Sequence, residues 1–100
     1  MLNIEKTYED DVLVVALSGR LDAGAAKEFG ERLDELVRES CDIVLDMKDL
    51  DYVASAGLRV LKALFMQTRS AGTQLLMRNV QENVMDVFDM TGFSAIFAIE

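Results

Sequence analysis

Two hydrophobic periods alternate along the chain. Val12-Leu13-Val14-Val15-Ala16-Leu17-Ser18-Gly19 is apolar, rich in β-branched residues and closed by glycine, which predicts a strand. Ahead of it, Leu2-Asn3-Ile4-Glu5-Lys6-Thr7 alternates weakly and reads as a short edge strand. Tyr8-Glu9-Asp10-Asp11 is the turn that pairs the two as a hairpin. The period then becomes helical. Asp22 stands as an N-cap, and Ala26, Phe29, Leu33, Leu36 and Val37 form one apolar face. Gly24 and Gly30 weaken this helix, and the sequence supplies no reason for Gly30.

Ile43-Val44-Leu45-Asp46-Met47 predicts the next strand, with residues 48–54 as a loop. Leu58, Leu61, Leu64 and Phe65 then mark a helix opened by Ser55, running to about Ser70 and stopped by Ala71-Gly72. Gln74-Leu75-Leu76-Met77-Arg78 reads as a strand. Asn79 reads as the start of a further helix, with Glu82 in capping-box position and Val80, Val84, Val87 and Phe88 inward. Thr91-Gly92 ends it, Phe93 packs back on its last turn, and Ala95-Ile96-Phe97-Ala98-Ile99 is the last strand. The order β-β-α-β-α-β-α-β predicts one α/β domain over residues 1–100. Its small sheet is mixed and mostly parallel, with an N-terminal hairpin and helices mainly on one face.

Composition removes several function classes. An apolar share of 51% in 100 residues supports a packed core. No apolar run approaches the roughly 18 residues of a membrane span, and the first residues lack the pattern of a signal peptide. The expectation is a cytoplasmic protein with no membrane insertion. Histidine is absent, so no Ser-His-Asp triad, Cys-His pair or histidine metal site can form. The single cysteine, Cys41, sits between Ser40 and Asp42 in an expected loop and reads as inert. No metal and no cofactor is expected. The net charge of −8 argues against direct nucleic-acid binding and is compatible with a basic protein partner, or with solubility alone.

The candidate chemistry lies in Asp51-Tyr52-Val53-Ala54-Ser55-Ala56-Gly57-Leu58-Arg59. One serine stands where a loop turns into a helix. Free backbone amides and the positive end of the helix dipole suit a phosphate there. Serine is also a good N-cap, and a capping hydroxyl can still be modified.

Three motifs, in order, resemble a known family. They are Gly19-Arg20-Leu21-Asp22, the strand Ile43-Val44-Leu45-Asp46-Met47, and Tyr52-Val53-Ala54-Ser55-Ala56-Gly57-Leu58. Phe88-Asp89-Met90-Thr91-Gly92-Phe93 resembles the same family's last helix and turn. Together they resemble a STAS domain of the anti-sigma factor antagonist type. The resemblance implies that Ser55 is phosphorylated with ATP by a cognate serine kinase that is also the anti-sigma factor. It implies that the unmodified protein binds that kinase and releases the sigma factor. A serine phosphatase of the metal-dependent type would reverse the modification.

Asp22, Ser55, Ala56, Gly57, Leu58 and Arg59 are the expected partner-binding residues, with Asp46 and Ala54 near the phosphosite. The amides of Ala56, Gly57 and Leu58 are expected to take the phosphate, with Gly57 giving close approach. Asp22 can equally be only an N-cap, Asp46 a strand-end hydrogen-bond acceptor and Arg59 a solvated cation. Ala54 departs from the family, which often has aspartate before the serine. A second reading is a STAS scaffold, or an accessory subunit of a transporter or signalling complex, without phosphorylation. No enzymatic activity is expected. Ala-Ser-Ala-Gly is not a hydrolase elbow, and the strands argue strongly against an all-helical acyl carrier protein.

Overall fold

The computed structural model describes residues 2–38 and 41–100. Ser40, the residue before Cys41, lies outside the described residues. The strands are β1 (Leu2–Glu9), β2 (Val12–Leu21), β3 (Asp42–Val53), β4 (Leu75–Arg78) and β5 (Ala98–Ile99). The helices are α1 (Ala23–Glu31), α2 (Leu33–Val37), α3 (Ser55–Ala71) and α4 (Glu82–Thr91), with a 3-10 turn at Phe93–Ala95. The strands form one sheet in the order β1-β2-β3-β4-β5. β1 and β2 are the antiparallel hairpin, and every other pair is parallel. The predicted mixed, mostly parallel sheet is therefore the observed one.

One face of the sheet carries the core. Leu13, Val15 and Leu17 of β2 lie beside Ile43, Leu45 and Met47 of β3 and Leu75 and Met77 of β4. Phe29, Leu36, Leu61, Leu64, Val84 and Phe88 bring all four helices into the same cluster. Full burial of each large side chain contributes about 1.5–3 kcal/mol. Phe97 holds the far edge, with edge-on contacts to Phe65 and Phe88 at 6.0 and 5.5 Å and a tilted one to Phe93 at 5.5 Å.

Most helix signals hold. Asp22 caps α1, its Oδ1 accepting from the Ala25 amide at 2.9 Å. Gly72 and Gly92 end α3 and α4 with φ of 79° and 82°, the left-handed cap that glycine adopts without strain. The first helix, expected to be continuous, breaks at Arg32, whose amide bonds back to Phe29 and Gly30. A Cβ on Gly30 would lie 3.6 Å from Val60 Cγ2, an ordinary contact, so packing does not explain this glycine.

Three boundaries differ for a physical reason. Residues 48–53, expected as a loop, continue β3 to Val53 beside an extended β2. Register slips twice: Ala16 pairs Asp46 but Ser18 pairs Asp49, and Gly19 pairs Leu50 but Arg20 pairs Tyr52. β3 thus carries an extra residue at each of two bulges. Met47, Leu50 and Val53 all point to the core, spaced by three rather than two. Gly19, at the second bulge, has φ of 101°.

The second difference is the start of α4. Asn79 adopts φ of 59° and donates its amide to Asp46, so it cannot open a helix. Gln81 is the N-cap and Glu82 the first helical residue, too early for a capping box. The final strand is also shorter than expected, because the 3-10 turn takes Phe93–Ala95.

The extended β3 makes a direct stability prediction. Leu50→Ala should cost about 2–5 kcal/mol in denaturant unfolding, the range of a core truncation. A cost near zero would mean that residues 48–53 behave as the loop their charges suggest.

Candidate functional site

β2 and β3 end together. Leu21 pairs Val53, and the Ala54 amide donates to the Leu21 carbonyl at 2.9 Å. The two chains then diverge into α1 and α3. Asp22 caps the first, and Ala54, extended at φ −83° and ψ 169°, is the N-cap residue of the second. Ala54 has no side-chain acceptor, and Ser55 is already the first helical residue. Ser55 therefore does not cap α3, contrary to one expectation for it. Its side chain is exposed.

The free amides at the start of α3 lie one residue earlier than expected. The Leu58 amide donates to the Ala54 carbonyl at 3.0 Å and is committed. The amides of Ser55, Ala56 and Gly57 precede that first bond and have no acceptor within the helix. They form the positive end of the α3 dipole. No acidic side chain stands in the first turn of α3.

Gly57 has a packing role that the sequence did not show. A Cβ there would sit 2.8 Å from Leu21 Cγ and 2.9 Å from the Leu21 carbonyl oxygen. Glycine is required there because the helix packs directly on the end of β2. Gly57 and Leu58 are both buried, so neither presents a side chain to a partner. Ala56 and Arg59 do reach the surface, where they line a groove with Ala23, Ala26, Lys27 and Val60. Asp22 adjoins Ala54 through the Leu21–Val53 pair, with its Oδ1 engaged at the α1 cap.

Asp46 does not belong to this place. It pairs with Ala16 and Arg78 far up β3, roughly 20 Å from the Ser55 end at about 3.3 Å per strand residue. It accepts from the Lys48 amide and from Asn79 Nδ2, each at 3.1 Å. Its role is a hydrogen bond at the first bulge, and the expectation that it flanks the phosphosite is corrected. Asn79 belongs to a set that sequence reasoning missed. Gln81 Nε2 donates to the Lys48 carbonyl at 2.6 Å and Asn83 Nδ2 to the Asp51 carbonyl at 2.7 Å. Beyond the end of β4, side-chain amides take over the edge of β3 that leads to Ser55. Arg20 and Tyr52 were missed too: neighbours across β2 and β3, they stack with the guanidinium 4.1 Å from the ring centre. An Asn-x-Gln-x-Asn alternation after a strand was the available signal for the first set. Among the described residues no group of three or more His, Cys, Asp or Glu could hold a metal ion.

The STAS domain pattern matches residues 3–100. The chain belongs to the STAS domain family. Its curated relatives carry anti-sigma factor antagonist names. The anti-sigma F factor antagonist of Paenibacillus polymyxa is 32% identical over 100 residues, covering 98% of this chain and 86% of that one. The anti-sigma-B factor antagonist of Bacillus subtilis is 28% identical over 98 residues, covering 98% and 90%. A solved structure of the Bacillus cell fate determinant SpoIIAA in its phosphorylated form superposes with a TM-score of 0.73 at 14% identity, covering 100% of this chain and 91% of that one. This STAS domain is thus a member of the anti-sigma factor antagonist family. No helix among the described residues is long and apolar enough to cross a membrane.

The tight seat of α3 separates two glycines of this STAS domain. Gly57→Ala should destabilise by about 1–3 kcal/mol, because overpacking against backbone outweighs the gain in helix propensity. Gly24→Ala meets only Asp22 Oδ1 at 3.8 Å and should stabilise instead. Denaturant melts of the two variants check the contrast, and equal shifts of the same sign would refute it.

Proposed function

We propose that this protein is a partner-switching antagonist whose state is set by phosphorylation of Ser55. Unmodified, it binds a cognate anti-sigma factor that is also a serine kinase, and so releases the sigma factor. The kinase transfers the γ-phosphoryl group of ATP to the Ser55 hydroxyl, and the modified protein no longer binds. A metal-dependent serine phosphatase removes the phosphate. The protein acts as substrate and ligand in this cycle, not as an enzyme, and works in the bacterial cytoplasm without contacting nucleic acid.

The observation that carries this reading is the setting of Ser55. It is exposed, it is the first residue of a 17-residue helix, and its hydroxyl is not used as a cap. Unengaged amides and a buried, tightly seated first turn surround it. A relative solved in phosphorylated form gives the reading chemical precedent within the fold.

The physics of such a switch follows from that setting. A phosphate adds about −1.5 to −2 charges at pH 7. At a helix N-terminus it is favoured by about 0.3–1 kcal/mol, so the modification should not unfold α3. Asp22 supplies some opposing repulsion from the adjacent cap. Loss of the partner must then come from charge and bulk placed at the contact surface.

The test begins with a purified serine kinase that binds the unmodified protein, with ATP and mass mapping. One phosphate is expected on Ser55, and Ser55→Ala should take none. Mapping to Ser18, Ser40, Ser70 or Ser94 would overturn the assignment. Ser55→Ala should keep kinase binding, while Ser55→Asp should weaken it at least about tenfold, or 1.4 kcal/mol. An Asp variant that binds like wild type would remove the electrostatic switch and favour the scaffold reading.

The structural consequence is tested separately. Phosphorylated and unmodified protein should melt within a few degrees of each other, since helix-terminus gains of about 0.3–1 kcal/mol offset local repulsion. Amide exchange across Leu58, Leu61 and Phe65 should stay slow. Widespread loss of protection there would mean that the switch works by melting the helix.

A further inference from the structure

Charge is not spread evenly over this chain. The protein carries a net charge of −8 with 18 acidic residues, yet α3 holds Arg59, Lys62 and Arg69 and no carboxylate. Helix energetics does not ask for this. The macrodipole favours acidic side chains in the first turn, where α3 has none. The asymmetry falls beside Ser55. The open groove there, about 250 Å³, has a floor of Ala23, Ala26, Ala56 and Val60 and a rim of Lys27 and Arg59. Among the described residues no carboxylate lines it. Asp22, next to it, caps α1 and keeps its charge, so the two rim cations outnumber the one adjoining carboxylate. Glu31, one turn beyond Lys27, makes no ion pair with it among the described residues.

We propose that this groove between α1 and α3 receives an acidic, partly apolar segment of the protein partner. Small side chains let a partner's apolar residues approach the floor, while carboxylates meet Lys27 and Arg59. A local cationic rim on an acidic protein selects against long polyanions. Nucleic acid and anionic membrane would meet the repulsive remainder of the surface, whereas a short protein segment would not. Only the consequence for switching rests on the Ser55 reading: a phosphate of almost two charges beside the rim would offset its two cations. The partner's docking element is thus acidic, although the overall charge of this protein suggests a basic one.

The first arm of the test needs no phosphorylation. Isotope-labelled, unmodified protein is titrated with a synthetic amphipathic peptide of leucine, alanine and glutamate, and with its lysine counterpart. The glutamate peptide should shift the resonances of Ala23, Ala26, Ala56 and Val60, more weakly as salt is raised. The lysine peptide should not. No shift at these residues, equal response to both peptides, or tighter binding of single-stranded RNA or anionic vesicles at the same residues would overturn the proposal.

The second arm uses a serine kinase that binds the unmodified protein, together with charge reversal. Lys27→Glu with Arg59→Glu should weaken its binding at least about tenfold, while Arg38→Glu, an exposed cation on another part of the surface, should change it little. Thermal melts check that the variants fold. If the groove variants bind normally, the inference fails even when Ser55 is phosphorylated. If the peptide result holds and Ser55 is never modified, the switch reading fails and the groove stands.

Discussion

The Ser55 end of the molecule hangs from one carbonyl group. The Leu21 oxygen accepts the Ala54 amide and lies where a Cβ on residue 57 would have to go. The hydrogen bond fixes where β3 stops. The close contact fixes how deeply α3 is seated on the end of β2. Because α3 starts at this point, the amides of Ser55, Ala56 and Gly57 are delivered at the rim of the sheet, with Ser55 outward and Leu58 inward. The Asp22 cap starts α1 from the next residue of the same strand. Two helices therefore diverge from one paired point, and the groove between them is a consequence of that divergence.

Reaching this point requires β3 to outrun β2, and this is where the sequence was hardest to read. Strand assignment relies on a period of two. Two bulges convert the buried positions of β3 into Met47, Leu50 and Val53, a spacing of three, with Lys48, Asp49 and Asp51 between them. Charged residues on irregular spacing read as a loop. The bulges exist only as a relation between two strands, so one strand's pattern cannot reveal them. Asn79 misled for a related reason. It has the side chain of a good N-cap, but its left-handed backbone and its bond to Asp46 spend it on β3.

What was legible has a common property: it is local. The Asp22 cap, the glycine stops at 72 and 92, and the apolar faces of α1, α3 and α4 each depend on residues within a few positions. The motif at residues 52–58 was legible as a unit, and the exposed Ser55 within it is where the sequence put the candidate. The role of Gly57 was not, because its neighbour Leu21 lies far away in sequence. The same holds for Asp46, whose motif suggests proximity to Ser55 while strand geometry carries it to the other part of β3.

The departure at residue 54 acquires a physical meaning from the same geometry. An aspartate at an N-cap accepts a helix amide and adds a fixed negative charge beside the next side chain. Alanine does neither. With Ala54 as N-cap, the first amides of α3 have no built-in competitor, and the immediate surroundings of Ser55 lack one negative charge. Arg59 and Lys27 then set the local sign. A phosphate there would offset the two cations of Lys27 and Arg59, whereas an aspartate at residue 54 would already have offset part of that charge. The residue that looks like a loss relative to the family is therefore consistent with the cation-bearing helix behind it: both leave the start of α3 without a carboxylate of its own.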